Sequence, residues 1–198
     1  TAYSIDMTDH GSAAASSLMN ALRATYDASI AVGYSPLVST SIYCGEYSKQ
    51  QILWVMAGNY AVSQGEYTGA ELRQMMEWLV NVKDNGANPI RHRNYMPVTS
   101  GMEYKVTEYE QGKFRLEEVT INGAPLDDTA TYTVFVAGTD VWMEDKAYCN
   151  CPMPENLKTK RTEYAIEGAE SRSCLKDSLA VSKQFPAPSE YLTIVQGE

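Results

Sequence analysis

Apolar positions recur along the chain in two rhythms, one of three to four residues and one of two, and the change between them marks out the elements. Residues 13–26 carry Leu18, Ala21, Leu22 and Tyr26 on one face at helical spacing, with Ser12 placed to cap the first turn. Residues 28–33 form a short apolar run closed by Gly33, the pattern of a buried strand that leads into a loop. That loop, 34–43, hands over to a predicted helix over 48–56 with Ile52, Leu53 and Met56 on one face, and 61–67 reads as a strand. The next helix has two independent signals. Thr68 followed three residues on by Glu71 is a capping box, and Leu72, Met75, Met76, Leu79 and Val80 continue one apolar face until Asp84-Asn85-Gly86 ends it. Strands follow over 101–107, 114–121 and 132–137, with Asn122-Gly123 as a hairpin turn. Residues 143–161 lose periodicity and gain Pro, Asn, Lys and two cysteines, which predicts a long irregular excursion of the kind that carries function. A helix over 174–185 and a branched, apolar strand over 191–195 close the order. The chain shows no internal repeat and no low-complexity tract.

Composition narrows what such an arrangement does. With 198 residues, 44% of them hydrophobic, the chain makes one sizeable domain with a core of its own. Its 16 basic against 25 acidic residues, a net charge of −9, repel phosphate backbones and anionic lipid heads, which argues against nucleic-acid and membrane-surface partners but leaves local binding of a small anion open. No apolar run approaches the ~18 residues that span a bilayer. No basic-then-apolar leader opens the chain, and Thr1 is expected to mark a cut within a longer polypeptide. The four cysteines, Cys44, Cys149, Cys151 and Cys174, are too few for a disulfide scaffold at this length. Cys149 and Cys151 leave a single residue between them, where zinc sites leave two or more, so free thiols or one or two disulfides are expected and no metal. Fourteen tyrosines against three phenylalanines point to half-exposed rings whose hydroxyls find partners, as on a secreted surface or in a ligand cleft.

The residues needed for independent catalysis are missing from the sequence. Two-metal phosphoester hydrolysis requires clustered Asp, His and Asn ligands holding two cations ~4 Å apart. Only His10 and His92 are present, the latter between Arg91 and Arg93, and both fit ordinary surface or hydrogen-bonded histidine. Thr99-Ser100-Gly101 lacks the nucleophile-elbow pattern of a serine hydrolase.

Three stretches taken in order carry a resemblance: Gly65-Glu-Tyr-Thr-Gly-Ala-Glu-Leu72, Pro97-Val-Thr-Ser-Gly-Met-Glu-Tyr104 and Thr120-Ile-Asn-Gly-Ala-Pro-Leu-Asp127. Beside them stand Leu18-Met-Asn-Ala-Leu22, Ser29-Ile-Ala-Val32, Gly45-Glu-Tyr-Ser48, Ala57-Gly-Asn-Tyr60 and Tyr132-Thr-Val-Phe-Val-Ala-Gly-Thr-Asp140. Together they resemble the C-terminal domain of the 5'-nucleotidase family. The resemblance implies an α/β (α+β) unit, a mixed sheet flanked by helices, formed by residues 1–198 as a single domain. It further implies an N-terminal metallophosphatase domain of the same polypeptide, absent from this chain, that holds two divalent metals and performs the hydrolysis. This domain then selects the nucleotide or nucleoside between two aromatic rings, needs no cofactor of its own, and is inactive alone. Such enzymes are extracellular, periplasmic or attached to the cell wall.

The departures from the family pattern bear on the site. Gly33 falls where the family has an asparagine, Val38 where it has a phosphate-facing arginine, and Val62 where it has the first stacking ring, with Tyr60 the nearest aromatic. His10 falls near a second family arginine and would replace it only as a weaker, pH-dependent cation. The glycine-rich aromatic loop of the family becomes Met143-Glu-Asp-Lys-Ala-Tyr148. The resemblance therefore implies substrate contacts from Tyr148, opposite Tyr60 or Trp142, with Asp145 or Asn59 reading the base edge or the ribose and His10 near the phosphate. Two alternatives stay open. One is a diverged domain that recognises a different ligand through Trp54, Trp142, Tyr148 and the cysteine-bearing excursion. The other is an interaction module in which the tyrosines only pack.

Overall fold

Two mixed β-sheets organise the computed structural model, which describes residues 3–34, 37–56, 58–81, 96–138 and 153–197. The first helix, α1 (Ala13–Thr25), starts where Ser12 accepts a hydrogen bond from the Ala15 N–H, and it buries Leu18, Met19, Ala21 and Leu22. Strand β1 (Ile30–Tyr34) follows, with Ile30, Ala31 and Val32 wholly buried, as suits a strand covered on both faces. Helix α2 (Lys49–Val55) is capped by Ser48, whose hydroxyl accepts from the Gln51 N–H while its own N–H donates to the Gln51 side-chain oxygen. Strand β2 (Ala61–Thr68) then runs directly into α3 (Gly69–Asn81). The Thr68 hydroxyl accepts from the Glu71 N–H at 3.2 Å while the Glu71 carboxylate accepts from the Thr68 N–H at 2.8 Å. All five apolar residues of the predicted stripe on α3 are buried.

The second half alternates strands with two helices: β3 (Pro97–Ser100), β4 (Glu103–Glu110), β5 (Lys113–Ile121), β6 (Ala124–Pro125) and β7 (Thr131–Ala137), then α4 (Glu155–Glu163), β8 (Ala165–Glu170), α5 (Ser171–Ser182) and β9 (Leu192–Gln196). Asn122 and Gly123 both have positive φ, 52° and 76°, the left-handed pair that a tight hairpin turn requires, and they join β5 to β6. Residues 155–161, the last part of the stretch expected to be irregular, belong to helix α4 instead. Its only buried side chains are Leu157 and Arg161, so there is no apolar stripe for a periodicity argument to find. Strands β3, β6 and β8 are likewise not predicted by pattern, being four, two and six residues long.

Strand order in the larger sheet is β3-β1-β7-β2-β8, with β1 and β7 parallel and all other neighbours antiparallel. The smaller sheet runs β6-β5-β4-β9, with β4 and β9 parallel. Lys105 pairs with Glu118 but Val106 with Leu116, so Glu117 is an extra residue, and the bulge lets both Leu116 and Val119 turn inward despite their odd spacing. Helix α1 packs on β1, β3 and α5, and α3 packs on both β2 and β5, which ties the two sheets together. Among the described residues no helix is long and apolar enough to cross a membrane.

Candidate functional site

Five chain segments meet at one end of the larger sheet. β1 and β7 are parallel neighbours, paired Val32 with Val136, so their carboxyl ends lie together. β2 is antiparallel to β7, pairing Val62 with Ala137, so the start of β2 lies at the same end. β8 pairs Glu170 with Ala61 and β3 pairs Pro97 with Tyr34, which adds the β8–α5 junction and the start of β3. The crevice outside the carboxyl ends of parallel strands is where open α/β sheets most often bind ligands, because loops there face solvent while the strands hold them rigidly.

Leu37 closes the floor at this end. A Cβ on Gly33 would stand 2.8 Å from one Leu37 methyl and a Cβ on Gly138 2.5 Å from the other, so both glycines are required for the leucine to fill the space between the strand ends. Beside it Val38 forms an isolated bridge with Met56, and both are buried. Asn59 and Tyr60 follow. The Asn59 amide donates to the Glu170 carboxylate and its oxygen accepts from the Arg172 N–H at 3.3 Å. The Tyr60 N–H donates to the Ser171 hydroxyl at 3.0 Å, and its carbonyl accepts from the Ser171 N–H at 2.8 Å. The turn before β2 is thus clamped to the first residues of α5. Glu170 also caps that helix in a reciprocal pair with Ser173.

Two guanidinium groups reach the same region. Arg161, buried, donates to the Ala61 carbonyl at 2.7 Å, and Arg172, half-buried, donates to the Met56 carbonyl at 2.9 Å. Neither Glu170 nor Arg172 is singled out by sequence pattern, because the apolar spacing places the start of the last helix at Cys174, three residues late.

The predicted site residues divide accordingly. Asn59, exposed, and Tyr60, half-buried, stand at these strand ends. His10 is exposed and sits 3.8 Å from Glu190, beside the smaller sheet, where the neighbouring Asp9 carbonyl accepts from the Ile194 N–H of β9. Trp142, Asp145 and Tyr148 lie outside the described residues, as do Cys149 and Cys151. Cys174 is a buried thiol that receives a hydrogen bond from the Tyr26 hydroxyl at 2.8 Å, and burial pushes its pKa up. Among the described residues no three His, Cys, Asp or Glu side chains gather as a metal ion would need.

Two grooves open elsewhere. One, of about 430 Å³, runs over the smaller sheet past Glu118, Thr120, Glu190 and Leu192. The other, of about 500 Å³, lies between Tyr43, Tyr47 and Ile52 and the end of α5 at Leu179 and Phe185.

The class that the fold defines is an α/β domain with clamped turns around the carboxyl ends of two parallel strands. Residues 5–141 match the family model for the 5'-nucleotidase C-terminal domain, and the chain belongs to that family. Among solved structures it is similar to a 5'-nucleotidase precursor from Thermus thermophilus, with 17% identity, a TM-score of 0.69, and coverage of 100% of this chain and 39% of that one. It is similar to the NAD nucleotidase of Haemophilus influenzae, with 14% identity, a TM-score of 0.68, and coverage of 96% and 34%. It is also similar to the sulfate thiohydrolase of Thermus thermophilus, with 17% identity, a TM-score of 0.62, and coverage of 91% and 31%. At these identities the likeness is one of fold, and the chain spans between 31% and 39% of the length of those three proteins. No curated protein sequence matches the chain.

Proposed function

We propose that this domain recognises the nucleotide or nucleoside substrate of a phosphoester hydrolase whose two-metal catalytic centre lies in another domain of the same polypeptide, outside the cytoplasm. The observation that carries the proposal is the meeting of Asn59 and Tyr60 with the ends of β1 and β7, within the residues that match the family model. A clamped turn presents a ring and an amide at a fixed place, so little side-chain entropy remains to be lost on binding. In this role Tyr60 or Trp142 stacks one face of the base and Tyr148 the other, while Asn59 or Asp145 reads its edge or the ribose. Base stacking contributes ~1–3 kcal/mol per ring and tolerates different bases, which suits a broad substrate range.

The experiment is calorimetric titration of the purified chain with adenosine, other nucleosides and their monophosphates, repeated with Tyr148→Ala and Tyr60→Ala. Saturable binding is expected, weakened about ten- to a hundredfold in Tyr148→Ala. An absence of heat with every ligand would sink the recognition role.

One observation favours a second function, binding of a different small ligand on the same scaffold. Val38 and Val62, which the resemblance aligns with an arginine and a stacking ring, are both buried apolar side chains and cannot touch a solvent-exposed ligand. A sulfate thiohydrolase shares the fold, so the fold alone does not set the substrate.

A further inference from the structure

We propose that the groove between the loop before α2 and the end of α5 binds a small zwitterion with an aromatic side chain, a free amino acid or a short peptide. The inference is independent of the nucleotide role proposed above, because the groove lies away from the strand ends. Arg172, at the start of α5, meets Met56 at those ends. Leu179 and Lys183, which line the groove, stand seven and eleven residues further on, roughly 10 and 17 Å along the helix axis.

At about 500 Å³ the groove has the size of a small-molecule site, and its lining combines apolar side chains and aromatic rings with a few polar groups. Ile52 of α2 and Leu179 of α5 contribute from opposite sides. The Tyr47 and Phe185 rings meet edge to face with centroids 5.7 Å apart, and the Tyr47 hydroxyl accepts from the Tyr43 N–H at 2.7 Å. These two rings are therefore held in place before any ligand arrives. Tyr3 is fixed on the same wall by paired backbone bonds with Ile42, at 2.7 and 2.9 Å. The Tyr43 ring differs from them. It lines the groove while 62% exposed, and among the described residues it meets no other ring. A bare ring beside a rigid aromatic pair is a surface on which a second flat ring can stack.

The lining carries one charge of each sign, Glu46 on the loop and Lys183 at the end of α5. Among the described residues neither makes an ion pair, with the other or with a third group. A simple anion meets repulsion from Glu46 and a simple cation meets it from Lys183, whereas a ligand with an ammonium and a carboxylate offers each a partner. Lys183 carries a second mark. It caps α5 in the left-handed conformation, with φ of 60°, and its N–H donates to the Leu179 carbonyl at 3.0 Å. Glycine takes that position without steric cost, and a lysine held there puts an ammonium beside the groove at the expense of backbone strain.

The test follows amide NMR shifts of the whole 198-residue chain during titration with four probes that share one ring: phenylalanine, the dipeptide alanyl-phenylalanine, phenethylamine and 3-phenylpropionate. Phenylalanine or the dipeptide is expected to bind about two- to fivefold more tightly than either singly charged probe, with shifts centred on residues 43–47 and 179–185 and an advantage that shrinks in high salt. The tighter of the two zwitterions gives the charge separation that the groove spans. Tyr43→Ala should weaken that ligand by about three- to tenfold. Lys183→Gly separates a binding role from a structural one: it should melt no lower than the wild type, since glycine relieves the left-handed backbone, yet bind the zwitterion no better than phenethylamine. Glu46→Gln should bind it no better than 3-phenylpropionate. A wild-type chain that takes the singly charged probes as tightly as the zwitterions would overturn the proposal, as would a Lys183→Gly chain that keeps the preference, shifts centred on other residues, or no shift with any probe at millimolar concentration. The nucleotide titration is unaffected by these results, so either reading can fail without the other.

Discussion

Tyr67 lies wholly inside the molecule, edge-on to the Tyr164 ring at a centroid distance of 5.7 Å and beneath the Lys160 ammonium at 5.4 Å. Its hydroxyl and that of Ser63, on the same face of β2, are both buried without a well-formed hydrogen bond, although the serine is close enough to favour the phenolate slightly. Burial pushes the Tyr67 phenol from 10.0 up to about 12, with the neighbouring Arg161 guanidinium pulling the other way. Tyr26 and Tyr191 are raised as well, mainly by burial. A phenol whose pKa is higher in the folded state favours folding fully at pH below 10, and that contribution fades as pH rises toward the folded value, because the unfolded chain releases its proton first. Thermal stability is therefore expected to be flat with respect to these phenols up to about pH 9 and to fall from about pH 10 to 12, which melts followed at several alkaline pH values would check. A Tyr67→Phe chain should show a shallower decline. An identical decline in that variant would mean that Tyr67 titrates as an ordinary exposed phenol. Of the three, the apolar spacing marks only Tyr26, on the buried face of the first predicted helix; burial of the Tyr67 and Tyr191 rings depends on what the rest of the chain brings over them.

Helix α3 shows which features a sequence reveals and which it hides. The capping box and the five-residue apolar stripe are local, so residues 68–80 announce both the start and the buried face of the helix. Thr68→Ala removes the acceptor for the Glu71 N–H and should cost about 1 kcal/mol, a drop of roughly 2–4 °C in melting temperature for a chain of this size, measured by calorimetric or optical melts. Burial alone would raise the Glu71 carboxyl, but the Lys160 ammonium and the two Thr68 donors outweigh it and hold the pKa below the usual range. That part of the stability is present above the usual carboxylate pKa and lost as pH falls through the lowered value, so the penalty of Thr68→Ala should shrink in acid. Helix α4 is the opposite case. Leu157 and Arg161 are its buried pair, and its Lys160 and Arg161 are committed to partners on β2 and α3 some 90 to 100 residues earlier in the chain. Its side chains are organised by tertiary contacts rather than by a local pattern, and the same holds for β8. At the strand ends, Asn59 and Tyr60 fall within a motif that the sequence shows, whereas Glu170 and Arg172 meet them only through the pairing of β8 with β2.

If the molecule as a whole is a recognition domain, cleavage of the phosphoester bond falls to another one. Lowering that barrier requires a nucleophile generated at neutral pH and cations at the developing charge, commonly a pair of metals ~4 Å apart. The described residues bring no three potential ligands together, and the chain spans at most 39% of the length of the three structural relatives compared. If recognition is its function, binding and bond cleavage are divided between domains, and binding measured on this chain should have no turnover coupled to it. The purified chain is therefore expected to release no phosphate from AMP or p-nitrophenyl phosphate with added Mg²⁺, Mn²⁺, Zn²⁺ or Co²⁺. The same preparation should be stabilised by a bound nucleotide, by about 2.7 kcal/mol when the ligand is present at a hundred times its dissociation constant. Phosphate release and melting temperature, assayed on the same fractions across a final chromatographic step, test both halves together. A metal-dependent rate that co-elutes with the chain would place a catalytic centre in these 198 residues and overturn the division of labour, whereas stabilisation without turnover is what a separate recognition domain requires.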